Sequence, residues 1–139
     1  MKHLLALAIA ALALPALAGS IVPVRPIPAN SVVSLADVVP QDAVIAGGFQ
    51  EVGDVLGLEA RVTLYPGRPI MRGDLGPPAI VTRNDIVQIV FRRGALSILA
   101  EGRALDRGAV GERIRIMNID SRAIITGVLR ADKTAEVTR

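Results

Sequence analysis

Residues 101–129 read EGRALDRGAVGERIRIMNIDSRAIITGVL, and this stretch decides the fold. Ile114 and Ile116 alternate with Arg113 and Arg115, the period-2 pattern of a strand with one buried face. Ile124, Thr126 and Val128 alternate with Ile125, Gly127 and Leu129, which predicts a second strand. Between them Asn118-Ile119-Asp120-Ser121 supplies turn chemistry, because Asn, Asp and Ser side chains bond the nearby backbone. Gly102, Gly108, Gly111 and Gly127 punctuate the apolar runs. Gly108 and Gly111 flank the start of the first strand, where a bend with positive φ would exclude a Cβ. The stretch holds no nucleophile–base pair and no ligand cluster; it is built to hold a shape.

Upstream, Asp85 to Arg92 is strand-like, with Val87, Ile89 and Phe91 inward, and Leu96, Ile98 and Ala100 form the next inward face. The two make a hairpin around Arg92-Arg93-Gly94-Ala95. Thr134 to Thr138 closes the chain with Ala135 and Val137 alternating. Short strands with closely spaced turns predict a small β-barrel or sandwich over residues 80–139.

Before the stiff Gly76-Pro77-Pro78 segment, residues 19–79 read as short strands broken by proline and glycine. Ile21-Val22-Pro23-Val24-Arg25-Pro26 is extended, since its prolines forbid a helix or a central strand. An internal duplication follows: residues 27–38, IPANSVVSLADV, parallel residues 64–75, LYPGRPIMRGDL. Asn30 coincides with Gly67, Val33 with Ile70, Asp37 with Asp74 and Val38 with Leu75. Asn and Gly are the residues most tolerant of left-handed geometry, so each unit reads as turn, short strand and Asp-apolar corner. Chance likeness of turn-rich segments is the competing explanation. Between the units, residues 54–59 suit one helical turn capped by Asp54, and Glu59 to Leu64 a strand with Ala60, Val62 and Leu64 on one face.

The first 18 residues form an export signal: Met1-Lys2-His3 is positive, Leu4 to Leu14 is apolar, and Ala16-Leu17-Ala18 is a small-x-small cleavage site. The apolar run is too short to span a bilayer, which takes about 20 residues. Cleavage after Ala18 takes 18 of the 139 residues, leaves 121, and lowers the formal charge from +3 to +2 by removing Lys2. The high pI of about 10.2 reflects arginine, since Lys133 is then the only lysine. Acidic and basic residues are interspersed, and no run marks a nucleic-acid patch. No membrane span is expected after Leu17. With no cysteine, no tryptophan, two phenylalanines and one tyrosine, the core must be aliphatic.

The only histidine, His3, leaves with the signal, so Ser-His-Asp and Cys-His catalysis and most zinc, copper and haem sites are excluded. No Walker or dinucleotide motif is present, and no cofactor, metal or small-molecule substrate is expected. Asp37 and Asp74 occupy matching places and raise an acid/base pair. Capping of a corner through a backbone N–H outweighs it, since glycosidase pairs sit in larger clefts.

Gly102-Arg103-Ala104-Leu105, Gly108, Gly111-Glu112-Arg113-Ile114, Asn118, Ser121 and Gly127-Val128 resemble the C-terminal signature of the flagellar P-ring assembly proteins, the FlgA family. That signature runs G-x-A-L, G-x-x-G-[DE]-x-I, N-x-x-S and G-x-V. Val24 to Ala29 and Pro66-Gly67-Arg68-Pro69-Ile70 look like the family's SAF segment, which has a β-clip fold. Val81-Thr82-Arg83-Asn84-Asp85 resembles its junction, with Asn84 where glycine is usual. Longer members carry an extra N-terminal domain for which this chain leaves no room.

The resemblance implies a mainly β protein with very little helix: a β-clip segment over 19–79, then a small β-barrel or sandwich-like domain over 80–139. It implies a periplasmic, ATP-independent chaperone with no catalytic residue, whose partner is the P-ring subunit, with a rod protein as a second candidate. In that setting the two β units form a shallow groove for a subunit's exposed edge or apolar patch. Tyr65, Met71 and Phe91 are the candidate anchors, against the alternative that each is core. The rivals are an SAF-bearing pilus-assembly protein and a carbohydrate-binding module; the first normally continues into a longer C-terminal region, and the second prefers exposed aromatics.

Overall fold

The computed structural model describes residues 19–137. The export signal expected over residues 1–18, its cleavage after Ala18, and Thr138 lie outside them. The duplication read from the sequence organises the first part of the chain. Ser20–Pro23 (β1) pairs antiparallel with Val38–Gln41 (β2), and Glu59–Ala60 (β3) with Leu75–Gly76 (β4). The pairs Val22↔Val39 and Pro23↔Val38 return 37 positions later as Glu59↔Gly76 and Ala60↔Leu75. The Val24 N–H donates to the Asp37 carbonyl, and the Arg61 N–H to the Asp74 carbonyl.

The two units also clasp each other about a pseudo-two-fold axis. Ile27 and Leu64, equivalent by sequence, exchange two backbone hydrogen bonds of 2.9 Å. The bond from Val33 N–H to the Leu58 carbonyl has its counterpart from Ile70 N–H to the Ile21 carbonyl. The bond from Asn30 N–H to the Ala60 carbonyl has its counterpart from Gly67 N–H to the Pro23 carbonyl. Asn30 and Gly67 share left-handed geometry, with φ of 67° and 74°, as their tolerance for it predicts. Ile21, Ile27, Val33, Leu64, Ile70 and Leu75 bury their side chains in one aliphatic core. Each such burial contributes about 1.5–3 kcal/mol.

Two local expectations fail here. The strand expected to Leu64 ends at Ala60, because β3 pairs only with the two residues of β4. Val62 is therefore 49% exposed, although Ala60 and Leu64 are buried. The helical turn is a 3₁₀ turn over Val52–Asp54 that begins after Glu51, so Asp54 lies within it and does not cap it. Its purpose in packing is to deliver Val55, which is fully buried.

The rest of the chain is a closed five-stranded barrel: Ile86–Arg93 (β5), Leu96–Ala104 (β6), Arg113–Asn118 (β7), Ile124–Leu129 (β8) and Thr134–Val137 (β9). It is thus the barrel and not the sandwich of the two expected forms. Four neighbouring pairs are antiparallel, and the parallel pairing of β9 with β5 closes the wall. Ile114 and Ile116 point inward with Val87, Ile89, Leu129 and Ala135, and Arg113 and Arg115 face out. Asn118 Oδ1 accepts from the N–H groups of Asp120 and Ser121, which makes the expected turn.

Glycine serves two different ends here. Gly111 has φ of 83°, as expected beside the strand. Gly108 has no positive φ; it is needed for space, since a Cβ there would stand 2.5 Å from Ile114 Cγ2 and 2.9 Å from Leu129 Cδ1. The hairpin turn falls at Gly94-Ala95 as predicted, with Arg93 opposite Leu96. Leu96 and Ile98, however, although on the inward face by register, are 53% and 49% exposed. The reason is pairing: β7 reaches β6 only along Gly102–Ala104, so the far end of β6 overhangs the barrel wall. Among the described residues no helix is long and apolar enough to cross a membrane.

Candidate functional site

The overhanging end of the β5–β6 hairpin concentrates exposed apolar side chains. Leu96, Ile98 and Leu99 are exposed, and Phe91, opposite Ile98, is half-buried between that residue and Val137 of β9. Val90 and Leu99 face each other on the outer side of the sheet, on the floor of a groove of ≈ 670 Å³ rimmed by Arg92, Arg130 and Glu136. Charge is uneven along the chain. Residues 80–139 hold eleven basic and seven acidic side chains, and residues 19–79 hold four and six. Among the described residues Arg92, Arg93 and Arg103, all on this hairpin, enter no ion pair.

A second polar cluster bridges the two cores. Glu59, at the place equivalent to Val22, is buried, and both its oxygens are held by Arg107 at 3.0 and 2.6 Å. The Ala79 N–H donates to the same carboxylate at 3.0 Å. The Arg107 guanidinium holds the Glu59 carboxyl below the ordinary carboxylate range, against the opposing effect of burial. Arg61 reaches Glu112 at 3.4 Å beside it, and the cleft there measures ≈ 230 Å³.

Asp37 and Asp74 brace the backbone of equivalent corners. Asp37 accepts from the Ser34 hydroxyl at 2.5 Å and the Ser34 N–H at 3.0 Å, and Arg25 adds a third bond at 2.7 Å. These bonds, the Ser34 hydroxyl first, lower its pKa. Asp74 repeats only the backbone cap, to Met71 N–H at 2.9 Å. The two carboxylates thus do the corner capping that outweighed an acid/base pair. Asp106, gripped by the Arg115 guanidinium, falls to about 2.

Of the three candidate anchors, Tyr65 is 55% exposed, and Met71 is 36% exposed with its backbone bridged to Gly48. Both belong to the first core's segment, whereas Phe91 belongs to the barrel, so no single strand carries all three. The signature residues stand at the barrel's turns and close contacts. Gly102 packs on Ile116 and Ile89, and Ala104 is fully buried. The Leu105 N–H bonds to the Arg115 carbonyl. Glu112 Oε2 accepts from Ala109 N–H at 2.9 Å, Ser121 Oγ from Ala123 N–H at 3.4 Å, and Gly127 is buried opposite Ile114. What sequence reasoning missed is Leu99, placed outward and 61% exposed. The signal was present: Leu96, Ile98 and Leu99 put apolar residues on both faces of one strand.

A sequence profile described as a chaperone for flagella basal body P-ring formation matches residues 19–137, both cores together. The chain belongs to that family. It is a family of flagellar assembly chaperones, not of enzymes, and its part in P-ring formation implies a flagellar protein partner. Among curated relatives, the flagellar protein FlgA of Agrobacterium fabrum is 34% identical over 130 residues, covering 88% of this chain and 80% of that protein. The flagellar protein FlgA of Rhizobium meliloti is 37% identical over 91 residues, covering 66% of this chain and 54% of that protein. The crystal structure of Salmonella FlgA in open form matches with a TM-score of 0.72 at 20% identity, over 86% of this chain and 59% of that one. This last likeness shows the shared mainly β fold, and the chain spans little more than half of the solved protein.

Proposed function

We propose that the chain is a periplasmic, ATP-independent chaperone that binds the P-ring subunit transiently and releases it as the ring closes around the rod. The observation that carries this reading is the β5–β6 overhang. A closed barrel otherwise seals its aliphatic core, yet here Leu96, Ile98 and Leu99 are left in solvent at one end of a hairpin. Exposed apolar groups gathered on a firm scaffold suit reversible docking of a protein. Family membership supports the flagellar setting. The export signal read at residues 1–18 supports a periplasmic address.

Tyr65, Met71 and Phe91 stay in this reading as contacts for the subunit, Tyr65 above all because its ring is exposed and amphipathic. Residues 19–79 and 80–139 act as two units joined at Gly76-Pro77-Pro78, a division supported by two separate clusters of buried side chains.

The experiment mixes the purified mature chain with purified P-ring subunit without nucleotide and follows complex formation by sedimentation. A reversible complex, with ring assembly in cells lost on gene deletion, is expected. Absence of any complex, or intact basal bodies after deletion, overturns the reading.

A further inference from the structure

The open edge of β6 has a definite hydrogen-bonding register. The Glu101 carbonyl accepts from Ile119 N–H, and the Leu105 N–H donates to the Arg115 carbonyl, so both residues turn their backbone groups away from β5. Antiparallel strands alternate strictly in this respect. Ser97 and Leu99 therefore also turn N–H and C=O away from β5, beyond the last β6–β7 pair, Gly102↔Asn118. The hairpin thus presents two consecutive sets of main-chain donors and acceptors that are unpaired among the described residues. The inward side of the same overhang carries Leu96 and Ile98, which continue the barrel core into solvent. One further strand beside β6 would pair the edge and cover these side chains.

We propose that this edge accepts an extended segment of a protein partner as an added strand, apolar on the face toward Ile98 and acidic on the face toward Arg92. Charge selects the occupant. Arg92 enters no ion pair among the described residues, and Ser97, opposite Arg92, is too small to screen it from the added strand. A second copy of this chain brings the same excess of basic residues to the edge, so like charge opposes self-pairing. Main-chain bonds supply affinity in such strand addition, and alternate side chains supply specificity. That the segment belongs to the P-ring subunit rests on the function proposed above; the edge and its register do not.

The test uses Leu99→Pro in the full mature chain. Proline removes the outward N–H of Leu99 while sparing the bonds between β5 and β6, and edge strands tolerate it. Ile98→Asp is the second variant, which keeps the edge and spoils the apolar face. Circular dichroism and melting confirm that each is folded. The expected result is that subunit binding slows amide exchange at Ser97 and Leu99, and that Leu99→Pro weakens binding by about tenfold. Unprotected amides and wild-type affinity in both variants overturn the edge while leaving the chaperone reading in place. If the subunit does not bind wild type, that reading falls. The edge is then judged with blocked ten-residue peptides of alternating Val and Asp, or Val and Lys. Perturbation of Ser97 and Leu99 amides by the acidic peptide alone keeps the proposal; none, or equal effects, overturns it. A dimer of the wild type that Leu99→Pro abolishes also overturns it, by assigning the edge to a second copy.

Discussion

Arg107 of the barrel segment holds both carboxylate oxygens of Glu59, a buried residue of the second duplicated ribbon. The pair ties together two cores that, among the described residues, share no buried side chain. Arg107→Ala leaves Glu59 buried with only the Ala79 N–H for support. The loss is about 1–3 kcal/mol, below the usual figure for a buried pair because the Arg107 side chain is 35% exposed. Urea unfolding of the two proteins at neutral pH measures it.

The same pair predicts a pH dependence. The Glu59 pKa is lowered from its ordinary 4.5, so its stabilisation is complete above that value and is lost as pH falls through the lower folded value. The stability gap between wild type and Arg107→Ala is therefore wide at neutral pH and narrows below pH 4.5. A gap that is constant down to pH 3 contradicts the assignment.

The duplication predicts unequal costs at equivalent corners. Asp37→Ala removes the bonds to Ser34 and Arg25 from a site 4% exposed, whereas Asp74→Ala removes one cap at a half-exposed site. The first costs about 2–3 kcal/mol and the second about 1. Melting of the two single variants, equal within error, would remove the distinction.

Gly108→Ala places a Cβ against Ile114 and Leu129 at less than contact distance. Overpacking of this kind costs about 1–3 kcal/mol. Gly94→Ala meets open space at φ of 58° and costs about 1 kcal/mol through left-handed geometry alone. A thermal scan should rank Gly108→Ala as the more damaging.

Much of this structure was legible in the sequence because its rules are local. Alternation marked β5, β7 and β8, and turn chemistry at Asn118 and Gly94 located the two hairpins. The offset of 37 showed equivalent residues, and the structure adds that they pair with each other, as Ile27 does with Leu64. Three of the failures are matters of which strand ends first. Val62, Leu96 and Ile98 sit on apolar faces by period, but β4 and β7 are too short to cover them. Glu59 paired with Arg107 was illegible for another reason: 48 residues separate them, and no local pattern joins an acid to a distant base.

Tyr65→Ala should leave the melting temperature unchanged, because the ring is 55% exposed. Phe91→Ala removes a half-buried ring and lowers stability by about 1–3 kcal/mol. Capture of the P-ring subunit by the folded Tyr65→Ala protein then reports binding alone. Unchanged capture removes Tyr65 as an anchor.

Site-specific photo-crosslinking in living cells tests most directly the claim that this chain works by docking another flagellar protein. A photoreactive residue at Leu99 is predicted to form an adduct with the P-ring subunit, and one at Leu35, in the first duplicated unit and 69% exposed, to form none. Adducts absent from Leu99, Tyr65 and Phe91 alike, in cells that still assemble P-rings, would contradict the account.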